Sequence, residues 1–370
     1  MKRVGIVDRN YNSARQIYGH EHTNYTFQKV IGYSQVAAKA SRIFPFLFKS
    51  TRSYRVLNLP PRFPKVDFLH LWNSVAEGNT PWIVSTSIGF GRGNGTTEQA
   101  RHVALLASRA CKHIICTSQF AYDKQKVKAS EWKQYESSIL RKMRLLPPPQ
   151  TLMIHSIEDK ANYLDKERII FTIVGNPIFF KGGLETLRVF DALLSTKYPV
   201  QLNVVTTFQL DGVFGTNHAQ VEEAQKIIDK HKYINLYSNI ANEEVITLLK
   251  STHIGLLPSF SETYGNSVLE AQACGCPVIT TDINAFPETN PPDCGWQIVV
   301  SDNYDISTPR GISTISAKIE TQLLDIIRSI VESPSTIAVK GGRSIERIRR
   351  AHDPENHKNE LANIYDSMAY

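Results

Sequence analysis

The sequence predicts an α/β chain of two doubly wound domains, each a parallel sheet covered by helices on both faces. Three observations carry that prediction. Its 370 residues exceed one ordinary domain and suit two. Short β-branched runs alternate with helical patterns almost throughout, the arrangement that builds parallel sheets. A triple proline, Pro147 to Pro149, then interrupts the alternation, which restarts at Ile169. Consecutive prolines continue neither a helix nor a central strand.

The first series offers strands at Val4–Val7, Tyr54–Leu57, Phe68–Leu71, Trp82–Ser85 and His113–Thr117. The second offers Ile169–Val174, Gln201–Thr206, Tyr233–Tyr237, Ile254–Leu257, Pro277–Thr280 and Gln297–Val300. Amphipathic stretches such as Gly182–Ser195, Ala219–Lys230 and Glu243–Lys250 lie between them. A final helix is expected from Pro354 to Met368, with Leu361, Ile364, Tyr365 and Met368 on one side. The expected domains are therefore residues 1–165 and 166–350, closed by a segment over 351–370.

Composition excludes several classes. With 42% apolar and 21% charged residues the chain is neither disordered nor fibrous. Five cysteines form no C-x-x-C pair, and Cys274 and Cys276 have no second ligand pair at zinc spacing, which suits a reducing compartment. No run reaches about 18 apolar residues, and the start lacks the apolar core of a signal peptide, so the expected location is cytoplasmic. The net charge of +7 is unevenly spread. Residues 1–165 carry 24 basic and 11 acidic side chains, net +13, and the remainder carries 18 and 24, net −6.

The most informative segment is Pro258-Ser-Phe-Ser-Glu262-Thr-Tyr-Gly265-Asn266-Ser267-Val-Leu-Glu270-Ala-Gln-Ala-Cys-Gly275-Cys-Pro277-Val-Ile. A buried strand runs into a loop that ends at Gly265, and a helix starts near Asn266. Ligands of open α/β sheets sit where such loops and helix starts meet. The first N–H groups of the helix, at Asn266 and Ser267, suit a diphosphate, and Gly265 lets an anion approach closely. Glu262 and Glu270 can face one pocket, where carboxylates accept paired hydrogen bonds from vicinal hydroxyls. By itself Glu270 is equally well explained as a carboxylate near a helix start, worth about 0.3–1 kcal/mol there. A second stretch, Gly175-Asn176-Pro-Ile-Phe-Phe-Lys181-Gly182-Gly183, puts a lysine beside a helix N-terminus, so both attract the same anion.

Together these segments resemble the signature of retaining nucleotide-sugar glycosyltransferases of the GT-B fold, the family 4 group also called glycosyl transferases group 1. Its pattern has two glutamates separated by seven residues, then Glu-Ala-x-Ala-Cys-Gly-x-Pro-Val-Ile, and it is matched from Pro258 to Ile279 with the spacing intact. The resemblance implies two Rossmann-like domains facing a cleft, the second holding the donor, the first the acceptor, and the final helix crossing back to the first. It implies a UDP- or GDP-sugar as substrate with no cofactor and no metal; no Asp-x-Asp occurs in the chain. Glu262 would contact the donor sugar and Glu270 the nucleotide ribose. Gly265, Asn266, Ser267, Gly175, Asn176 and Gly182 would surround the diphosphate, and Lys181 would neutralise it as it leaves. Asn176 stands where the family carries an arginine.

The first half matches only in outline. Trp82–Ser85 leads into Ser87, Gly89, Gly91, Arg92, Gly93 and Gly95, a glycine-rich loop whose spacing is not the dinucleotide fingerprint. Ser87 occupies about the place of a family histidine, so that role is not carried over. Ser87, Gly89, Arg92 and His70 are the candidates for the acceptor side. Between Gln28 and Lys65 lie eight basic side chains (Lys29, Lys39, Arg42, Lys49, Arg52, Arg55, Arg62, Lys65) and no acid, with Phe44, Phe46 and Phe48 among them. A second set comprises Lys124, Lys126, Lys128, Lys133, Arg141, Lys142 and Arg144. Bases interleaved with aromatics suit an anionic membrane surface, at about 1 kcal/mol per base near it, unless the aromatics simply pack in the core. No nucleic-acid-binding motif is present.

The expectation is thus a glycosyltransferase moving a sugar to an acceptor hydroxyl of a glycan or lipid-linked glycan, peripheral at a membrane. An epimerase or phosphorylase on the same architecture, or a degenerate binding subunit, would share the donor motif. A nucleotide-release assay separates them.

Overall fold

A computed structural model of the chain describes residues 1–6, 11–19, 24–30, 55–57, 66–88, 96–163, 167–210 and 216–369. It forms two compact units, Met1–Pro149 with Pro354–Tyr370, and Gln150–Asp353.

In the first unit the strands are β1 (Lys2–Ile6), β2 (Tyr25–Lys29), β3 (Arg55–Leu57), β4 (Phe68–Trp72), β5 (Val75–Glu77), β6 (Trp82–Thr86), β7 (Cys111–Cys116) and β8 (Met143–Leu145). Six of them make one parallel sheet in the order β2-β1-β4-β6-β7-β8. The central strands are covered on both faces, which is why they read as unbroken apolar runs. The strand expected at Tyr54–Leu57 is β3, and it pairs with β5 outside that sheet. Helices α1 (Thr96–Ala107), α2 (Gln119–Ser130) and α3 (Lys133–Lys142) cover the sheet. The turn after β7 ends in Ser118, whose hydroxyl accepts from Ala121 N at 2.9 Å and caps α2.

The second unit carries β9 (Ile169–Val174), β10 (Val200–Val205), β11 (Ile234–Tyr237), β12 (Ile254–Leu257), β13 (Val278–Thr281) and β14 (Gly295–Ile298), all parallel, in the order β11-β10-β9-β12-β13-β14. The chain winds outward from β9 in one direction and from β12 in the other. Those two neighbours, with Phe171 beside Ile254, form the topological switch point. The helices are α4 (Gly183–Ser195), α5 (His218–Lys230), α6 (Asn242–Lys250), α7 (Asn266–Ala273), α8 (Phe286–Thr289), α9 (Pro309–Glu332) and α10 (Ser335–Ala351). Phe171, Phe190, Ile279 and Leu323, each essentially unexposed, fill one core between sheet and helices.

The chain changes unit at Pro149 and again at Asp353, earlier than residue 165 in the first case. The reason is hydrogen bonding. Met153 N and Ile154 N donate to Ala273 O at 3.0 and 3.2 Å, and Lys160 Nζ reaches Thr252 O at 2.9 Å, tying residues 150–163 to the second unit. Gln150 N donates to His352 O at 2.7 Å, so the two crossings run side by side. Helix α11 (Pro354–Asp366) then returns to the first unit. Leu361 and Tyr365 pack there among Val4, Phe68, Ile83 and Ile115.

All five cysteines are buried free thiols. Burial raises the Cys276 thiol above its ordinary value, and its Sγ faces Leu249 O and Thr252 O at 3.2 and 3.3 Å. Among the described residues no helix is long and apolar enough to cross a membrane.

Candidate functional site at the switch point of the second sheet

The loops leaving β9 and β12 meet at the carboxyl edge of the sheet, the side on which open α/β sheets bind ligands. The first loop passes Gly175 and the cis bond Asn176–Pro177, makes one 3-10 turn over Phe179–Lys181, and enters α4 through Gly182. Gly182 has φ +76°, and a Cβ there would lie 2.2 Å from Pro258 O of the other loop. Only glycine permits that approach. The loops are also laced by Phe260 N and Ser259 Oγ, which both donate to Phe180 O at 3.1 Å.

This lacing sets Lys181 against Glu262. Their side chains form an ion pair and are each only 16% exposed. Room for the lysine stem comes from Gly175, where a Cβ would stand 3.0 Å from Lys181 Cγ. Glu262 uses its other oxygen, Oε1, to accept from Thr263 N at 2.9 Å.

The β12 loop ends at Gly265, with φ +84° and the ring of Phe286 2.7 Å from where its Cβ would be. Helix α7 begins with Asn266 and Ser267, and the N–H groups of such a first turn point outward with the positive end of the dipole. Glu270 lies one turn into α7 and is 7% exposed. The sequence-derived residues Lys181, Gly182, Glu262, Gly265, Asn266 and Ser267 thus share two adjoining loop ends. Asn176 is placed differently from a phosphate clamp. Its Oδ1 accepts from Thr206 Oγ1, Thr207 N and Thr207 Oγ1 at 2.8, 3.0 and 3.1 Å, so it brackets β9 to the end of β10.

Sequence reasoning missed the residues that brace this site. Thr281 Oγ1 donates to Ser259 O at 2.7 Å, Tyr304 Oη to Phe260 O at 2.6 Å, and Asn284 Nδ2 to Glu262 O at 2.7 Å. Burial raises the Tyr304 phenol above its ordinary value. An asparagine in a turn after a strand was a readable signal for Asn284, which indeed has φ +50°. Nothing in the sequence marked Tyr304.

In the first unit, Ser87 is 7% exposed and held by Asn73, whose Oδ1 accepts from Ser87 N at 3.2 Å. His70 is corrected from an acceptor-side candidate to a core residue. It is 1% exposed, with Nδ1 2.7 Å from Tyr365 Oη and Nε2 2.8 Å from Ser85 Oγ. Gly89 and Arg92 lie outside the described residues, as do Lys39, Phe44, Phe46, Phe48 and most of that basic run. Of the second basic set, Lys128 pairs with Glu131 and Lys133 with Glu136, and Lys142 Nζ bonds Leu106 O and Ser108 O at the end of α1. Lys124, Lys126, Arg141 and Arg144 have no ion pair among the described residues.

Residues 156–306 match the family model described as glycosyl transferases group 1. The chain is 21% identical over 179 residues to the gpi3 subunit of phosphatidylinositol N-acetylglucosaminyltransferase from Schizosaccharomyces pombe, covering 48% of this chain and 36% of that one. It is 27% identical over 118 residues to a D-inositol 3-phosphate glycosyltransferase from Corynebacterium jeikeium, covering 32% and 28%. The chain therefore spans about a third of the length of the curated relatives it matches. Among solved structures, a sucrose-phosphate synthase from Thermosynechococcus elongatus superposes with TM-score 0.64 at 13% identity, covering 100% of this chain and 99% of that one. HepE from Anabaena, solved with UDP-glucose, gives TM-score 0.60 at 12% identity, covering 99% and 100%.

Proposed function

Residues 156–306 being a glycosyl transferases group 1 domain, in a chain with the GT-B fold, we propose that the protein transfers a glycosyl unit from a UDP- or GDP-sugar to an acceptor hydroxyl. The observation that carries this reading is the Lys181–Glu262 pair, set between two left-handed glycines at the switch point. A diphosphate is the stronger partner for a lysine beside a helix start. On donor binding Lys181 passes from Glu262 to the phosphates, and the Glu262 carboxylate turns to the sugar hydroxyls. The starts of α4 and α7 supply further partial positive charge, and Glu270 accepts the vicinal ribose hydroxyls. In the transfer, the bond from the anomeric carbon to the diphosphate oxygen breaks and the acceptor oxygen takes its place. The acceptor proton leaves with the diphosphate, the anomeric configuration is retained, and the leaving charge rests on Lys181 and the helix starts, with no metal needed.

The test is nucleotide release with a panel of UDP- and GDP-sugars, with and without chelator. Glu270→Ala is expected to weaken UDP binding about 10- to 100-fold, the worth of a charged hydrogen-bond pair. Unchanged UDP binding in that variant removes the site assignment. Release that rises when an acceptor is added separates transfer from epimerisation.

For the acceptor, a glycan or lipid-linked glycan with anionic character is supported by the basic first unit. The names of the two relatives agree, since phosphatidylinositol and D-inositol 3-phosphate are both anionic. Attachment to an anionic bilayer through Lys124, Lys126, Arg141 and Arg144 predicts flotation with anionic but not neutral liposomes. That binding is expected to weaken with salt. Equal recovery with both kinds of liposome would sink the membrane reading.

A further inference from the structure

We propose that Asn284 is a positioning residue for the Glu262 carboxylate, acting through a single peptide plane. This rests on the donor-site reading above. The peptide joining Glu262 to Thr263 is bonded at both ends. Its carbonyl, Glu262 O, accepts from Asn284 Nδ2 at 2.7 Å, and its N–H, on Thr263, donates to Glu262 Oε1 at 2.9 Å. The other carboxylate oxygen, Oε2, meets Lys181. A peptide unit is rigid, so its C=O and N–H turn together. Releasing the carbonyl from Asn284 therefore lets the plane rotate and carries the N–H away from the carboxylate. A donor on the carbonyl also polarises the N–H and strengthens its bond to Oε1.

The turn is built for this contact. Asn284 sits at φ +50°, a conformation that asparagine and glycine tolerate and most residues do not. Its neighbours brace the same loop on either side, Thr281 at Ser259 O and Phe286 beneath Gly265. Asn284 alone among the three bonds the peptide that holds the carboxylate. Its part is to set the angle at which Glu262 meets the sugar.

Two substitutions separate this role from simple bracing. Asn284→Gly keeps the backbone conformation and removes the whole side chain, so the melting temperature should fall by no more than the few degrees, about 4 °C, that one lost hydrogen bond costs. Asn284→Asp keeps the shape but sets an acceptor against the carbonyl. The first readout is the Thr263 amide in protein carrying isotope-labelled threonine. Its resonance should move, and its hydrogen exchange should quicken about 10-fold, in Asn284→Gly, and further in Asn284→Asp. The second is a split in kinetics with the nucleotide sugar that the parent turns over. Turnover should fall about 10- to 100-fold while UDP affinity stays within about 2-fold, since misplacement of a reacting group costs rate more than binding.

A Thr263 amide unmoved by either substitution overturns the proposal. So does a loss of turnover that is accompanied by an equal loss of UDP affinity and of melting temperature, which would mark a purely structural role. The donor-site reading fails separately, when Lys181→Ala and Glu270→Ala both bind UDP as the parent does. A Thr263 amide that still moves then leaves the positioning of Glu262 standing.

Discussion

Replacing Lys181 by alanine is expected to lower kcat/KM for transfer about 100- to 1000-fold, the range for removing one preorganised group from a developing negative charge. The loss has two parts. The leaving diphosphate loses its nearest cation, and Glu262, 16% exposed, keeps a carboxylate with no counter-charge. Lys181→Arg should not restore the rate. The stem of residue 181 runs against Gly175, where even a Cβ would come within 3.0 Å, and a guanidinium is a fork where this site offers room for a point charge. Because the pair acts as a unit, Lys181→Ala combined with Glu262→Gln should cost much less than the two single losses added together. Steady-state rates of Lys181→Ala, Lys181→Arg, Glu262→Gln and the double variant settle it; a Lys181→Ala enzyme as fast as the parent would end this account of the site.

The second large effect falls on stability. Gly182→Ala puts a Cβ 2.2 Å from Pro258 O at a φ of +76°. The obstacle is main chain, so it cannot swing aside as a long side chain would. The left-handed conformation costs about 1–2 kcal/mol for a residue with a Cβ, and parting the two loops adds to it, for a total of about 2–4 kcal/mol. UDP binding should be lost in the same variant, because the loops that separate are those carrying Lys181 and Glu262. Gly342→Ala provides the control. It lies inside α10 with nothing within 4 Å of the new methyl, and should stabilise by up to about 1 kcal/mol. Denaturant unfolding of the three proteins tests both signs, and a Gly182→Ala chain as stable as the parent contradicts the close-approach argument.

What the sequence made legible follows from burial. The six strands described in the second unit were all readable, the inner ones such as β12 and β13 because a parallel strand covered on both faces is apolar along its length. The edge strands β2 and β8 were not. Tyr25–Lys29 is half exposed and Met143–Leu145 is three residues long, so neither leaves such a run. At the site, Glu262 and Lys181 could be picked out by motif, yet their pairing could not, since 81 residues separate them. His70 misled because a histidine in a strand looks the same whether it faces solvent or, as here, Tyr365 and Ser85. Asn284 is a different case: its turn was readable, but its partner was not, because it bonds a main-chain carbonyl, which every residue carries.

The return of α11 to the first unit bears on how the protein is made. The second unit is one uninterrupted stretch, Gln150–Asp353, and can close its core as soon as that stretch has been synthesised. The first unit begins earlier on the ribosome but must wait longer. Val4, Phe68, Ile83 and Ile115 keep an apolar face uncovered until Leu361 and Tyr365 emerge. The first unit is therefore completed after the second, and a chain cut after Asp353 would hold every residue of the second unit and a first unit lacking α11.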